Sequence, residues 1–122
     1  MNAVKSYQDL IGWQKSIELV SRIYKLTKTF PKEEIYGITT QMQRAAVSVP
    51  ANIAEGQARN GAKEFCQFLG IAKGSLAELE TYIILAVRLD YIETHTGEGL
   101  LADCQEIGKI LNGLLRALSR SR

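Results

Sequence analysis

His95, Gly56 with Gly61 and Lys63, the pair Asn52 and Glu55, the two cysteines, and two rows of basic residues are the groups in this chain whose spacing is worth testing for chemistry. His95 is the only histidine; Thr94 and Thr96 flank it, and no cysteine or carboxylate stands at metal-ligand spacing from it. A structural zinc site needs four such ligands and a catalytic one three. Di-iron bundles place Glu-x-x-His on paired helices, a pattern missing here. His95 therefore reads as an exposed loop residue, and no metal is expected. Gly56 and Gly61 stand five apart with Lys63 nearby, superficially like a phosphate loop. A true phosphate loop puts lysine directly after the second glycine, Ser or Thr after the lysine, and a strand before the loop. None of these holds, so the segment reads as a helix end and turn. With no Gly-x-Ser-x-Gly elbow either, no residue is assigned to catalysis, no cofactor is expected, and the chain reads as non-enzymatic.

Asn52 and Glu55 lie beside a small, apolar helical row where a solvated face is not assured. A buried polar group left without a partner costs roughly 1–3 kcal/mol, and Arg44 or Arg59 could pair with Glu55. Arg44, Asn52, Glu55 and Arg59 are accordingly read as determinants of assembly and helix register, since one buried polar residue can select one arrangement among several. Cys66 and Cys104 fall in apolar patterns on different helices and read as buried, reduced thiols. Gly70 and Gly74, with Ala77 close to the same face, each cost about 1 kcal/mol relative to alanine in a helix. That cost implies close approach by another helix.

The basic residues form two rows. Lys15, Arg22 and Lys25 occupy the arc of the first helix opposite its apolar face, interrupted by Glu18. Lys109, Arg116 and Arg120 project in nearly one direction from the last helix, and no acid follows Glu106. Three aligned cations could each contact a phosphate, which would make binding strongly salt-dependent. The competing reading is a solvated face whose C-terminal cations complement the helix dipole. Net charge decides little, because 15 basic and 13 acidic side chains leave only +2, too weak a field to mark a nucleic-acid binder by itself.

Four helical segments must position these groups. The first is expected from about Tyr7 to Thr29. Leu10, Trp13, Ile17, Val20, Tyr24 and Thr27 form one row and Leu19, Ile23, Leu26 and Phe30 a second. The rows sit roughly 120° apart, wider than the usual surface stripe of about 100°. Phe30-Pro31 ends this helix. The second begins between Pro31 and Thr39 and runs to about Ala58 on Ile35, Ile38, Met42, Ala45, Ala46, Val49 and Ile53. Pro50 removes one hydrogen bond, and a kink is expected there, with a split at Ser48-Val49-Pro50 as the alternative. Asn60-Gly61 is a turn, and Asn60 is a candidate cap.

The third helix reaches about Leu89, with Phe65, Leu69, Ala72, Leu76, Leu79, Ile83 and Ala86 at the 3.5-residue period of shallow helix crossings. Phe68, Ile71, Ser75, Tyr82, Leu85 and Leu89 widen its apolar arc. The fourth is expected from roughly Glu98 to Ser119 on Leu100, Cys104, Ile107, Leu111, Leu114 and Leu118, with Gly97 and Gly99 discouraging an earlier start. The Ser-Arg-Ser-Arg tail is expected to fray. Short connections give an all-α, antiparallel up-down-up-down four-helix bundle. At 122 residues, with 46% hydrophobic and 23% charged side chains, residues 1–122 read as one globular domain. No apolar run approaches a membrane span, the first residues lack a signal-peptide core, and the expected location is the cytoplasm.

Trp13, Lys15-Ser16 and Glu18-Leu19, Thr29-Phe30-Pro31 with Glu34 and Tyr36-Gly37, Gln41 and Arg44-Ala45-Ala46 begin a longer series in order. Ser48, Asn52-Ile53-Ala54-Glu55-Gly56, Arg59, Glu64-Phe65, Phe68-Leu69, Ile71-Ala72, Gly74-Ser75, Glu78-Leu79 and Glu80-Thr81 continue it. In these residues the chain resembles the four-helix family of 23S rRNA intervening-sequence proteins over most of its length; the C-terminal helix carries only a generic pattern. The resemblance implies an antiparallel four-helix protomer that assembles as a homopentamer, a ring or barrel with a central channel. It also implies kinship with accessory proteins of diversity-generating retroelements, which bind nucleic acid and a reverse transcriptase. The expected partners are therefore further copies of this chain, RNA or DNA, and possible recruitment to a reverse transcriptase. The alternative is a module that recruits a protein partner without touching nucleic acid. The wide apolar arcs on the first and third helices suit a protomer packed on both sides, because soluble monomers rarely expose large apolar patches.

Overall fold

A computed structural model describes residues 6–121, and the side chains of 6–120. Residues 1–5, among the first residues expected to lack a signal-peptide core, and Arg122 of the expected fraying tail lie outside the described residues. Four helices make the fold: α1 (Ile11–Thr27), α2 (Thr40–Ala58), α3 (Ala62–Arg88) and α4 (Thr94–Ser121). Each packs on the next, and α4 returns to α1. This is the expected all-α up-down bundle.

The apolar rows of α2, α3 and α4 point inward as their spacing requires. Ile38, Met42, Ala45, Ala46, Val49 and Ile53 meet Leu69, Ala72, Leu76, Leu79, Ile83 and Ala86, and Leu100, Cys104, Ile107 and Leu111 complete the core. Ile35, expected to begin the α2 row, is 48% exposed. On α1 the expected leading row is displaced. The buried stripe is Gly12, Ser16, Leu19, Ile23 and Thr27, while Ile17 and Tyr24 are each 42% exposed. The reason is local: Ser16 hides its hydroxyl by donating to the Gly12 carbonyl at 2.5 Å, so a serine can occupy a core position. Gly12 lets Ile110 and Leu111 approach within 3.3 Å of where a Cβ would stand.

Helix ends depart from the expected bounds by a few residues, each for a stated reason. Tyr7–Asp9 is a single 3-10 turn, with Ser6 Oγ accepting from the Gln8 amide at 2.9 Å. Extended backbone at Leu10 then delays α1 to Ile11. Thr27 ends α1 because the amides of Thr29 and Phe30 already turn back onto Leu26 and Thr27. Between α1 and α2 a 3-10 turn at Lys32–Glu34 leads into a wide turn at Ile35–Thr39, which Gly37 interrupts at φ −114°, ψ −121°. Regular α2 consequently starts at Thr40 and continues through Pro50 without a split. Gly61, at φ +156°, stands at the start of α3, and Asn60 makes no cap there.

The α4 start departs by four residues, as the α1 start does, but in the opposite direction. It begins at Thr94, despite two glycines in its opening turns. A Cβ on Gly97 would lie 2.5 Å from Val87 Cγ2, so this glycine is what allows α4 to leave against the last turns of α3. At the same end of the bundle Tyr91 donates its hydroxyl to Glu34 Oε2 at 2.8 Å and packs its ring on Phe30, centroids 5.4 Å apart. The two connections at that end are thus tied together.

Candidate nucleic-acid interface

Lys15 and Arg22 are not on an open arc opposite the core. Burying Ser16 and Leu19 turns Lys15 and Arg22 toward α4, where Lys15 Nζ lies 3.5 Å from Glu106 Oε2 and Arg22 Nη1 lies 2.7 Å from Asp103 Oδ2. With Glu18 they line a small polar crevice along the α1–α4 seam. Positive charge there is compensated pair by pair. Lys25 is exposed and has no ion partner among the described residues.

The α4 row has a different setting. Lys109, Arg116 and Arg120 are all exposed, and among the described residues none forms an ion pair. At 100° per residue their directions fall within an arc of about 40°, and at 1.5 Å per residue they span roughly 16 Å of helix. The structure adds a feature that spacing on one helix could not give. Between α3 and α4 runs a groove of about 340 Å³, floored by Leu76, Ala77, Cys104 and Gly108 and bordered by Lys73, Glu80, Gln105, Lys109 and Asn112. Asn112 also borders an open depression beside Leu115, Arg116, Ser119 and Arg120, so the groove and the basic row form one continuous tract.

The four polar residues assigned to assembly and register divide. Asn52 is half-buried and donates to Ser48 at both its carbonyl, 2.8 Å, and its hydroxyl, 2.9 Å. Ser48 Oγ and Ser75 Oγ share a hydrogen bond at 2.8 Å across α2 and α3, and Ser75 reaches the Ile71 carbonyl at 3.1 Å. This chain of bonds fixes one helix against the other. Glu55 is exposed and pairs with Arg59, one turn on, at 2.7 Å; exposed pairs of this kind contribute at most about 1 kcal/mol. Arg59 also lies 4.9 Å above the Phe68 ring. Arg44 is exposed at a shallow recess it shares with Gln41, Ser48 and Glu78.

Cys104 is buried, and desolvation pushes its thiol up to about 12, so the groove floor is uncharged. Cys66, expected to be buried as well, is only half-buried, and both thiols are free. His95 is exposed as expected, although it sits in the first turn of α4 and not in a loop. Among the described residues no cluster of His, Cys, Asp and Glu could hold a metal ion, and no helix is long and apolar enough to cross a membrane. Gly70 and Gly74 have nothing within 4 Å of an added Cβ, so no helix of the same protomer approaches them, contrary to expectation.

Apolar side chains remain on the outside: Ile17 and Tyr24 on α1, and Ile71, Ile84, Leu85 and Leu89 on α3 are each more than 40% exposed. Ile17 and Tyr24 come from the displaced leading row of α1, and Ile71, Leu85 and Leu89 from the second row that widened the apolar arc of α3.

Comparison with known proteins agrees with this architecture. The model of the family described as 23S rRNA-intervening sequence protein matches residues 8–113. A crystal structure of a protein of unknown function from the S23 ribosomal protein family of Bacteroides thetaiotaomicron is 28% identical. The match covers 86% of this chain and 98% of that one, with a TM-score of 0.80. No curated protein matches the chain.

Proposed function

We propose that this chain, a member of the 23S rRNA-intervening sequence protein family, is a non-enzymatic, homo-oligomeric bundle that binds RNA or a DNA–RNA intermediate through α4. The observation that carries this reading is the uncompensated row Lys109, Arg116 and Arg120, set against Lys15 and Arg22 of α1, which are already paired with Glu106 and Asp103. Three phosphate contacts give a log–log salt slope of about −2 to −3. Titration of the protein with structured RNA at two salt concentrations tests the reading. Micromolar or tighter binding with that slope, lost in Lys109→Glu with Arg116→Glu, supports it. Absence of binding at low salt overturns it in favour of a protein-recruiting module.

Assembly is part of the same reading. The exposed apolar residues of α1 and α3 lie on different faces of the protomer, as a ring closed by heterologous contacts requires, and a pentamer is the form the family resemblance suggests. Light scattering at micromolar concentration should give several times the 13.5 kDa of one chain; a monomer would reject the assembly. The kinship with retroelement accessory proteins that the family resemblance implies makes a reverse transcriptase the protein partner to test by co-purification.

A further inference from the structure

The groove between α3 and α4 is polarised along its length. Gly97 against Val87 sets the antiparallel register of the two helices, which places Lys73 level with Leu111 and Asn112, and Glu80 level with Cys104. Lys73, Lys109 and Asn112 therefore gather at the end that opens toward Arg116 and Arg120. Glu80 and Gln105 stand at the other. Between them the floor is apolar and low, because Ala77 and Gly108 carry little or no side chain.

Resting on the reading of α4 as a nucleic-acid surface, we infer that this groove seats one nucleotide of a single strand, with Lys73 as a further phosphate-contacting residue. The chemistry of each part fits a separate part of the nucleotide. An apolar floor accepts the face of a base, and amides and a carboxylate offer donors and acceptors to its edge; a glutamate can accept from an exocyclic amino group. The cationic end takes the adjoining phosphate and passes the backbone to Arg116 and Arg120. A volume of about 340 Å³ lies near the lower end of the range for small-ligand sites. A duplex, whose bases are stacked and paired, would meet only the α4 ridge and leave the groove empty. Glu80 would repel a phosphate, so the polarity of the groove places the phosphate at the Lys73 end and the base edge at the Glu80 end.

Fluorescence anisotropy with a labelled single-stranded RNA, the same sequence as DNA, and a duplex of equal length tests this with the full-length protein. The single strands should bind at least tenfold more tightly than the duplex. Lys73→Glu should weaken single-strand binding about tenfold and reduce the magnitude of the salt slope by about one. Gly108→Leu adds bulk to the floor without changing charge; it should remove the preference for single strands while leaving the salt slope of duplex binding intact. An added Cβ at Gly108 meets nothing within 4 Å, and circular dichroism checks folding. If that variant does not fold, Lys73→Glu and Gln105→Ala with Asn112→Ala still decide the matter. Binding that is lost in Lys109→Glu with Arg116→Glu but unchanged in the groove variants would overturn the groove and leave the α4 row standing. Absence of all binding would overturn both.

Discussion

Gly97 and Gly99 stand in the same opening turns of α4, and substituting each by alanine should move stability in opposite directions. In a helix interior either replacement gains about 1 kcal/mol of intrinsic propensity. At Gly99 nothing lies within 4 Å of the new methyl group, so the full gain should appear. At Gly97 the methyl group would stand 2.5 Å from Val87 Cγ2 and 3.9 Å from Ile83 and Ile92. Carbon atoms prefer about 3.5–4.0 Å, so Val87 must retreat by roughly 1 Å, and its χ1 is stiff in a helix. Overpacking of this kind costs about 1–3 kcal/mol.

Because the propensity gain is common to both variants, the difference between them isolates the steric term. Unfolding entropy scales at about 2.1 cal/mol/K per residue, which for a chain of this length makes 1 kcal/mol worth about 4 °C in Tm. Gly99→Ala should therefore melt about 4 °C above wild type, and Gly97→Ala about 4–12 °C below Gly99→Ala. Scanning calorimetry at matched protein concentration measures both. Adding Val87→Ala to Gly97→Ala should recover part of the loss, giving a coupling energy of the kind found between touching residues. Equal Tm shifts for the two glycine variants, or no coupling to Val87, would refute the claim that Gly97 sets the α3–α4 junction. The junction bears on the proposed function because it fixes the phase of α4 and hence the direction of Lys109, Arg116 and Arg120.

Desolvation raises the Cys104 thiol from 9.0 to about 12, so the folded state favours its neutral form. The stability this contributes is complete below the unfolded thiol value and is lost as pH rises from about 9 toward 12. Urea melts from pH 8 to 11 should decline less steeply in Cys104→Ala than in wild type, and a thiol reagent at pH 8 should label Cys66 rapidly and Cys104 only on unfolding. Asn52→Ala should cost about 1 kcal/mol, read from urea midpoints, because it strips Ser48 of two hydrogen bonds at the α2–α3 contact. Glu55→Ala should cost less than about 1 kcal/mol, since its pair with Arg59 is solvated. Comparable losses in the two variants would contradict the division of this polar set.

Where apolar side chains alone determined the outcome, the sequence was a sufficient guide. The α3 row from Leu69 to Ala86 is buried residue for residue, because six positions at one period outvote any local preference. The α2 row behaves in the same way from Ile38 onward, and Pro50 does not interrupt it. What sequence periodicity could not anticipate was the use of small residues as contact surfaces. Gly12 and Ser16 belong to the α1 core stripe although neither is apolar, so a row through Trp13, Ile17 and Tyr24 lies too far round the helix.

That rotation decides where the charges of α1 go, and it is the physical reason the two basic rows are not equivalent. Once Ser16 and Leu19 face inward, Lys15 and Arg22 fall at the flank nearest α4, within reach of carboxylates at Glu106 and Asp103. The same two acids are the last on α4, so the pairing leaves the rest of that helix without acidic side chains to compensate Lys109, Arg116 and Arg120. A seam of ion pairs and an uncompensated tract thus have a common origin in the phase of α1. It follows that Asp103→Asn with Glu106→Gln should free Lys15 and Arg22 and strengthen nucleic-acid binding at low salt, if that surface adjoins the tract. It should do so with little loss of stability, since partly exposed, solvent-screened pairs contribute only about 0–1 kcal/mol each. An anisotropy titration in which this double variant binds more weakly than wild type would show that the seam acts by orienting α4 and not by withholding charge.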